Sequence, residues 1–233
     1  MTRLYVLVKM MKKIKSLIYI IIVCLMCGCA GTADYTGRSD IEKARKLHSG
    51  LEGAKITMTD NTTSEIIQEI SYVFVGEVMT YMYHGEQDGK SYYEFNNGTE
   101  LDYITLPDET EWSFCSRGDE NYYNYSRTAP HYFADGKQLF ATYSNAISTA
   151  TSVSEDEGDT VYTYTYNGGG LADYNLFEGT APSDFIMSYR LNEDGYCTEF
   201  RNMYTLDGTR YDYTVTISEM NAIEKVERTE VLK

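Results

Sequence analysis

The sequence predicts an α+β fold: a strongly curved antiparallel β-sheet of about ten strands, with an N-terminal helix and one interior helix on its concave face. Three observations predict it. From Ala54 onward, apolar and polar residues alternate with a period of two through most of the chain. The pairs Asp88-Gly89, Asn97-Gly98, Asp194-Gly195 and Asp207-Gly208 separate the alternating stretches. Such pairs mark hairpins, because tight turns between strands need positive φ at the central residues. Tyrosine occurs 23 times and proline only 3 times, a balance that suits strands better than disorder.

In chain order, Ser39-Asp40-Ile41-Glu42 reads as a capping box. Ile41, Ala44, Leu47, His48 and Leu51 then recur at helical spacing, which predicts a helix over 40–49 closed by Gly50 and Gly53. His48 lies beside that apolar stripe and reads as a packed histidine. Ile56 and Met58 open the first strand. The stretch 65–84 reads as one long strand with a bulge or bend at Gly76. Strands are expected over 91–95, 100–106, 111–116 and 121–126. Leu139, Phe140, Tyr143, Ala146 and Ile147 share a helical face, so 136–149 reads as the interior helix, with Asp135 able to cap it. The run SEDEGD at 154–159 reads as an acidic loop, and Gly168-Gly169-Gly170 as a flexible turn. Strands over 161–166, 185–191, 196–206 and 210–218 complete the sheet. The tail 222–227 has no clear alternation.

Ahead of this body, Lys9, Lys12, Lys13 and Lys15 precede an apolar run over 17–26 that ends at Gly28-Cys29. A positive start, a short apolar core and a small residue before a cysteine form a secretory signal. The alternative is an uncleaved anchor, but the run is shorter than the roughly 20 residues a membrane span needs. The ending resembles a bacterial lipobox, with Met26 and Cys27 where Leu and Ala or Ser are usual. The resemblance implies that Cys29 receives a diacylglyceryl group and becomes the first mature residue. The expected organisation is a signal peptide over 1–28, a lipidated tether over 29–39 and one domain over 40–233. The expected location is the extracytoplasmic side of the cell membrane, lipid-anchored. Met10 and Met11 are alternative starts. Loss of the leader removes Arg3 and four lysines but no acidic residue, moving the net charge from −15 to −20. That excludes a nucleic-acid partner, which requires a basic face. It also excludes electrostatic attachment to anionic lipid.

The order of capped helix, hairpins, interior helix and closing meander resembles the LolA/LppX-like half-barrel of bacterial envelope lipoproteins. The carriers are Cys29, the helix over 39–49, the hairpins, and the tail YTVTISEMNAIEKV at 213–226. The resemblance implies a hydrophobic cavity between sheet and helices, with a lipid or another hydrophobic or amphipathic molecule as ligand. Alternation assigns the inner face to Trp112, Phe114, Phe185, Met187, Tyr189, Phe200, Tyr204, Tyr211 and Tyr213, and Tyr143 faces it from the interior helix. Tyrosines and threonines on that face would make the cavity partly polar. The alternative is a tethered protein–protein interaction module with a filled core and no ligand, since close packing is the default for interiors.

Catalytic signatures are missing. The chain has three histidines, His48, His84 and His131, and no Gly-x-Ser-x-Gly, Walker loop or HExxH. The expectation is no enzyme, no cofactor and no metal. Glu155, Asp156, Glu157 and Asp159 cluster around Gly158, and Asn192, Asp194 and Glu199 flank Gly195, but neither set has calcium-loop spacing. Cys115 and Cys197 are both expected to point outward, on strands too far apart to bridge.

Overall fold

The computed structural model describes residues 37–124, 152–166 and 183–232. Cys29, the tether up to residue 36, the helix expected over 136–149 and Tyr143 lie outside the described residues. Helix α1 (Arg38–His48) is followed by β1 (Gly53–Asp60), β2 (Glu65–Val75), β3 (Val78–Gln87), β4 (Lys90–Asn96), β5 (Glu100–Leu106) and β6 (Ser113–Ser116). The second half adds β7 (Ser152–Asp156), β8 (Asp159–Tyr166), β9 (Ser183–Leu191), β10 (Cys197–Leu206) and β11 (Thr209–Ser218).

All eleven strands join one open antiparallel sheet, in the order β6-β5-β4-β3-β2-β1-β11-β10-β9-β8-β7. Two meanders therefore meet at a central seam where the first strand pairs with the last: Ile56 lies opposite Ile217 and Met58 opposite Val215. This corrects the expectation of a simple meander, which would have set β6 beside β7. They are instead the two opposite edges.

Turn chemistry fixes the local register. Asp88-Gly89, Glu157-Gly158 and Asp207-Gly208 are two-residue loops with positive φ at both central positions, the requirement of a type I′ hairpin. Glu157-Gly158 falls inside the expected acidic loop. Its flank is strand β7, whose five residues are all exposed, so no apolar alternation betrays it. The expected bend at Gly76 is likewise a hairpin: Val75 pairs with Val78 across Gly76-Glu77, with Gly76 at φ 67°.

Cross-strand pairing sorts the side chains into two faces. The inner face carries Ala54, Ile56, Met58, Ile70, Tyr72, Phe74, Met79, Tyr81, Leu101, Phe185, Met187, Tyr189, Leu191, Phe200, Val215 and Ile217, all buried in one core with Ile41 and Ala44 of α1. The helix is thus packed on this face. It does not start with the expected capping box. Gly37 occupies the N-cap at φ 83°, without a side-chain cap. A Cβ there would stand 2.5 Å from Tyr162 Cδ1, so any other residue would have to displace the Tyr162 ring and adopt a strained φ. Asp40 is used elsewhere: it accepts hydrogen bonds from Lys43 at 2.8 Å and from the Tyr162 hydroxyl at 2.9 Å. Both hold its carboxyl below the usual range. Burial, then Asp40, pushes the Tyr162 hydroxyl up to about 12. At the helix C-terminus His48 is buried, and its Nε2 accepts the Cys197 backbone N–H at 3.0 Å.

Two faces expected from alternation are inverted. Leu101 pairs with Cys115 and Asp102 with Phe114, so Cys115 is buried inside and Phe114 points outward, 70% exposed. In β10 the pairing with β9 slips between Cys197 and Glu199. This bulge at Thr198 turns Cys197 to the inner side, where it is wholly buried. Both thiols are free, and β5, β4, β3, β2, β1 and β11 lie between their strands.

Candidate functional site

The residues expected to line an inner cavity divide into three groups. Phe185, Met187, Tyr189 and Phe200 are buried in the packed core. Tyr189 and Phe200 are cross-strand partners with ring centroids 4.8 Å apart. Tyr204, Tyr211 and Tyr213 are only half-buried on the same face. Trp112 and Phe114 do not reach that face. The Arg228 guanidinium stands 5.2 Å from the Trp112 ring centroid, and Phe114 points outward, fixed by its pairing with Asp102.

The second group forms a site. β10 and β11 place Tyr204, Tyr211 and Tyr213 in one aromatic row, which continues into the buried Phe185 of β9. Centroids are 6.0 Å apart for Phe185–Tyr204, 5.0 Å for Tyr204–Tyr211 and 6.2 Å for Tyr211–Tyr213. Asn202 belongs to the same face, between Met187 and Tyr213 in the register. Its Oδ1 is buried and has no hydrogen-bond partner among the described residues. A buried acceptor left unpaired costs about 1–3 kcal/mol, and a bound donor would recover that loss. Rings beside an unspent acceptor suit a molecule with an apolar body and one polar end. The sequence pattern placed the rings on this face, but it gave no sign of Asn202.

A different polar network occupies the inner face of β3 to β5. Glu94 is buried and accepts the hydroxyls of Tyr81, Tyr92 and Tyr123. Asn96, also buried, accepts from the Gly98 N–H at 2.7 Å and donates to the Tyr123 carbonyl at 2.9 Å. Asn124 in turn donates to the Met79 carbonyl at 2.8 Å. These bonds pin residues 122–124 across the sheet and are satisfied within the chain, so the network reads as structural.

The outer face carries a feature that alternation missed. After β11 the chain turns back across β1 to β5. Asn221 N–H donates to the Gly53 carbonyl at 2.7 Å, and Asn221 Oδ1 accepts the Glu52 N–H at 2.7 Å. Farther along, Arg228 pairs with Asp102 at 2.7 Å. Under this strap lies a groove of about 680 Å³, lined by Glu69, Ser71, Met82, His84 and Tyr93 of the sheet and by strap residues from Glu219 to Thr229. Among the described residues, no cluster of three or more His, Cys, Asp or Glu is placed to hold a metal. No described helix is long and apolar enough to cross a membrane.

No protein-family model matches the chain, and no curated protein matches it. Among solved structures, the chain is similar to the crystal structure of LprF from Mycobacterium bovis. The match has 8% sequence identity and a TM-score of 0.47, and covers 81% of this chain and 94% of that one.

Proposed function

We propose that the protein is a membrane-tethered extracytoplasmic lipoprotein, anchored through Cys29, that binds an amphipathic ligand on the inner face of its sheet and performs no catalysis. The aromatic row of Phe185, Tyr204, Tyr211 and Tyr213 beside the unpaired Asn202 Oδ1 carries the ligand reading. The half-buried rings of Tyr204, Tyr211 and Tyr213 supply an apolar contact of the kind binding pockets use, and one convergent polar atom sets orientation. The leader pattern supports the anchor. The non-catalytic reading is supported by the sequence, which carries no Gly-x-Ser-x-Gly, Walker loop or HExxH.

Protein made without its leader, delipidated and then mixed with a fluorescent fatty acid, is expected to take up the probe. Asn202→Leu and Tyr211→Ala are each expected to reduce uptake while the fold persists. A clean apo protein with no uptake would sink the ligand reading. For the anchor, Cys29→Ala is expected to leave an unprocessed precursor; normal cleavage of that variant would refute it. A second reading is a tethered interaction module with a filled core. It is favoured by Phe114, which stands 70% exposed on edge strand β6.

A further inference from the structure

The groove beneath the C-terminal strap lies on the opposite face from the aromatic row and is built differently. Three strands present one cross-strand row on its floor: Glu69 of β2 pairs with His84 of β3, and His84 pairs with Tyr93 of β4. The His84 and Tyr93 rings are stacked, with centroids 4.4 Å apart and planes 11° from parallel. Met82 and Ser71 complete the floor, and the strap adds Glu219, Glu224, Glu227 and Lys225. We propose that this groove binds a small organic cation, a guanidinium or ammonium group held between the Glu69 carboxylate and the His84–Tyr93 ring pair.

The lining selects that chemistry. Lys225 is paired with Glu227 at 2.8 Å. Lys55 forms an ion pair with Glu69 Oε2 at 3.0 Å, and Thr57 donates to the same oxygen at 3.4 Å, so the guest takes the other oxygen of Glu69. Glu219 and Glu224 add negative charge from the strap, so an anion entering the groove meets carboxylates. An acyl chain would desolvate Glu219 and Glu224 and bring them no partner. A cation gains from both walls: carboxylates attract it, and ring faces attract it through their quadrupole. The net charge of −15 raises the local concentration of cations around the whole molecule. Burial lowers the His84 pKa from 6.5, and Glu69 opposes that shift. The imidazole is therefore neutral at neutral pH and does not repel the guest. The other ionisable groups lining the groove are Glu69 from β2, Tyr93 from β4, and Glu219, Glu224, Lys225 and Glu227 from the strap, with Lys55 of β1 paired to Glu69. Acidification that charges His84 repels the guest.

The test is calorimetric titration of the full chain with Nα-acetyl-argininamide and with its uncharged counterpart Nα-acetyl-citrullinamide. The arginine probe is expected to bind at least about tenfold more tightly. Its affinity is expected to fall from about pH 7.5 to about pH 5, and His84→Phe is expected to flatten that dependence. Glu69→Gln and Tyr93→Leu should each weaken binding about tenfold. Glu224→Gln, on the exposed strap, should weaken it while leaving the melting temperature unchanged. Equal affinity for the two probes, no binding of either, or full binding by Glu69→Gln would overturn the proposal. Fatty-acid uptake at the inner face is expected to be unchanged in all four variants, so either site can fail without the other.

Discussion

Phe200 lies between two strands that both depend on it: it pairs with Tyr189 on one side and Val215 on the other, and it is 7% exposed. Phe200→Ala is expected to cost about 3–5 kcal/mol, from lost transfer energy and the cavity left behind; urea denaturation measures it. On the outer face, Arg201 donates to Asp212 through two nitrogens at 2.9 and 2.7 Å, and Asn61 donates to the same carboxylate at 2.8 Å. Arg201 first, then Asn61, hold the Asp212 carboxyl below its ordinary value of 3.8. A depressed folded pKa adds stability that is present above the unfolded pKa and is lost as pH falls through the folded one. Arg201→Met is therefore expected to be destabilising by about 1 kcal/mol at neutral pH, held to that size by solvent around Arg201. The gap to the parent should close below 3.8. A gap that stays constant across that window would show that packing, not charge, carries the effect.

Among the elements, the hairpins were the most legible in sequence. Asp88-Gly89 and Asp207-Gly208 announce a geometry that few other pairs can adopt. Gly208 sits at φ 80° with nothing near its missing Cβ, so Gly208→Ala is expected to cost about 1–2 kcal/mol through backbone strain alone. A neutral result would mean the turn relaxes into another type. Less legible were elements whose polar surroundings hide their pattern. β7 has no buried side chain, so its acidic residues read as loop. The helix cap was misread because Gly37 packs against Tyr162, a contact no local motif encodes. In β10 the bulge at Thr198 reverses the face of Cys197, and period-two reasoning cannot foresee an inserted residue. The aromatic site shares this mixture: its rings follow from the alternation of β9 to β11, whereas Asn202 becomes notable only once its Oδ1 is seen buried and unpaired.

The central seam organises the whole molecule. β1 and β11 each have a hydrogen-bonded neighbour on both sides, while β6 and β7 stand at the edges. Amide hydrogen exchange is therefore expected to be slowest in β1 and β11 and fastest in β7, since edge strands open without breaking the sheet. Faster exchange in β1 than in β7 would contradict the seam. Peptide mapping under non-reducing conditions is expected to show no link between Cys115 and Cys197, given the six strands between them.

The sequence by itself determined the antiparallel class, most of the turns, the helix at the start of the body, and which residues of β9 and β11 face inward. These are short-range consequences of backbone φ and of a two-residue period. Tertiary structure alone decided that the first strand pairs with the last, that the ends of the two meanders become opposite edges, and that the tail straps the outer face over a polar groove. Those outcomes join residues far apart in the chain, such as Ile56 with Ile217 and Asp102 with Arg228. Which distant partners meet depends on how much apolar surface each pairing buries across the whole sheet, a quantity that no local window contains.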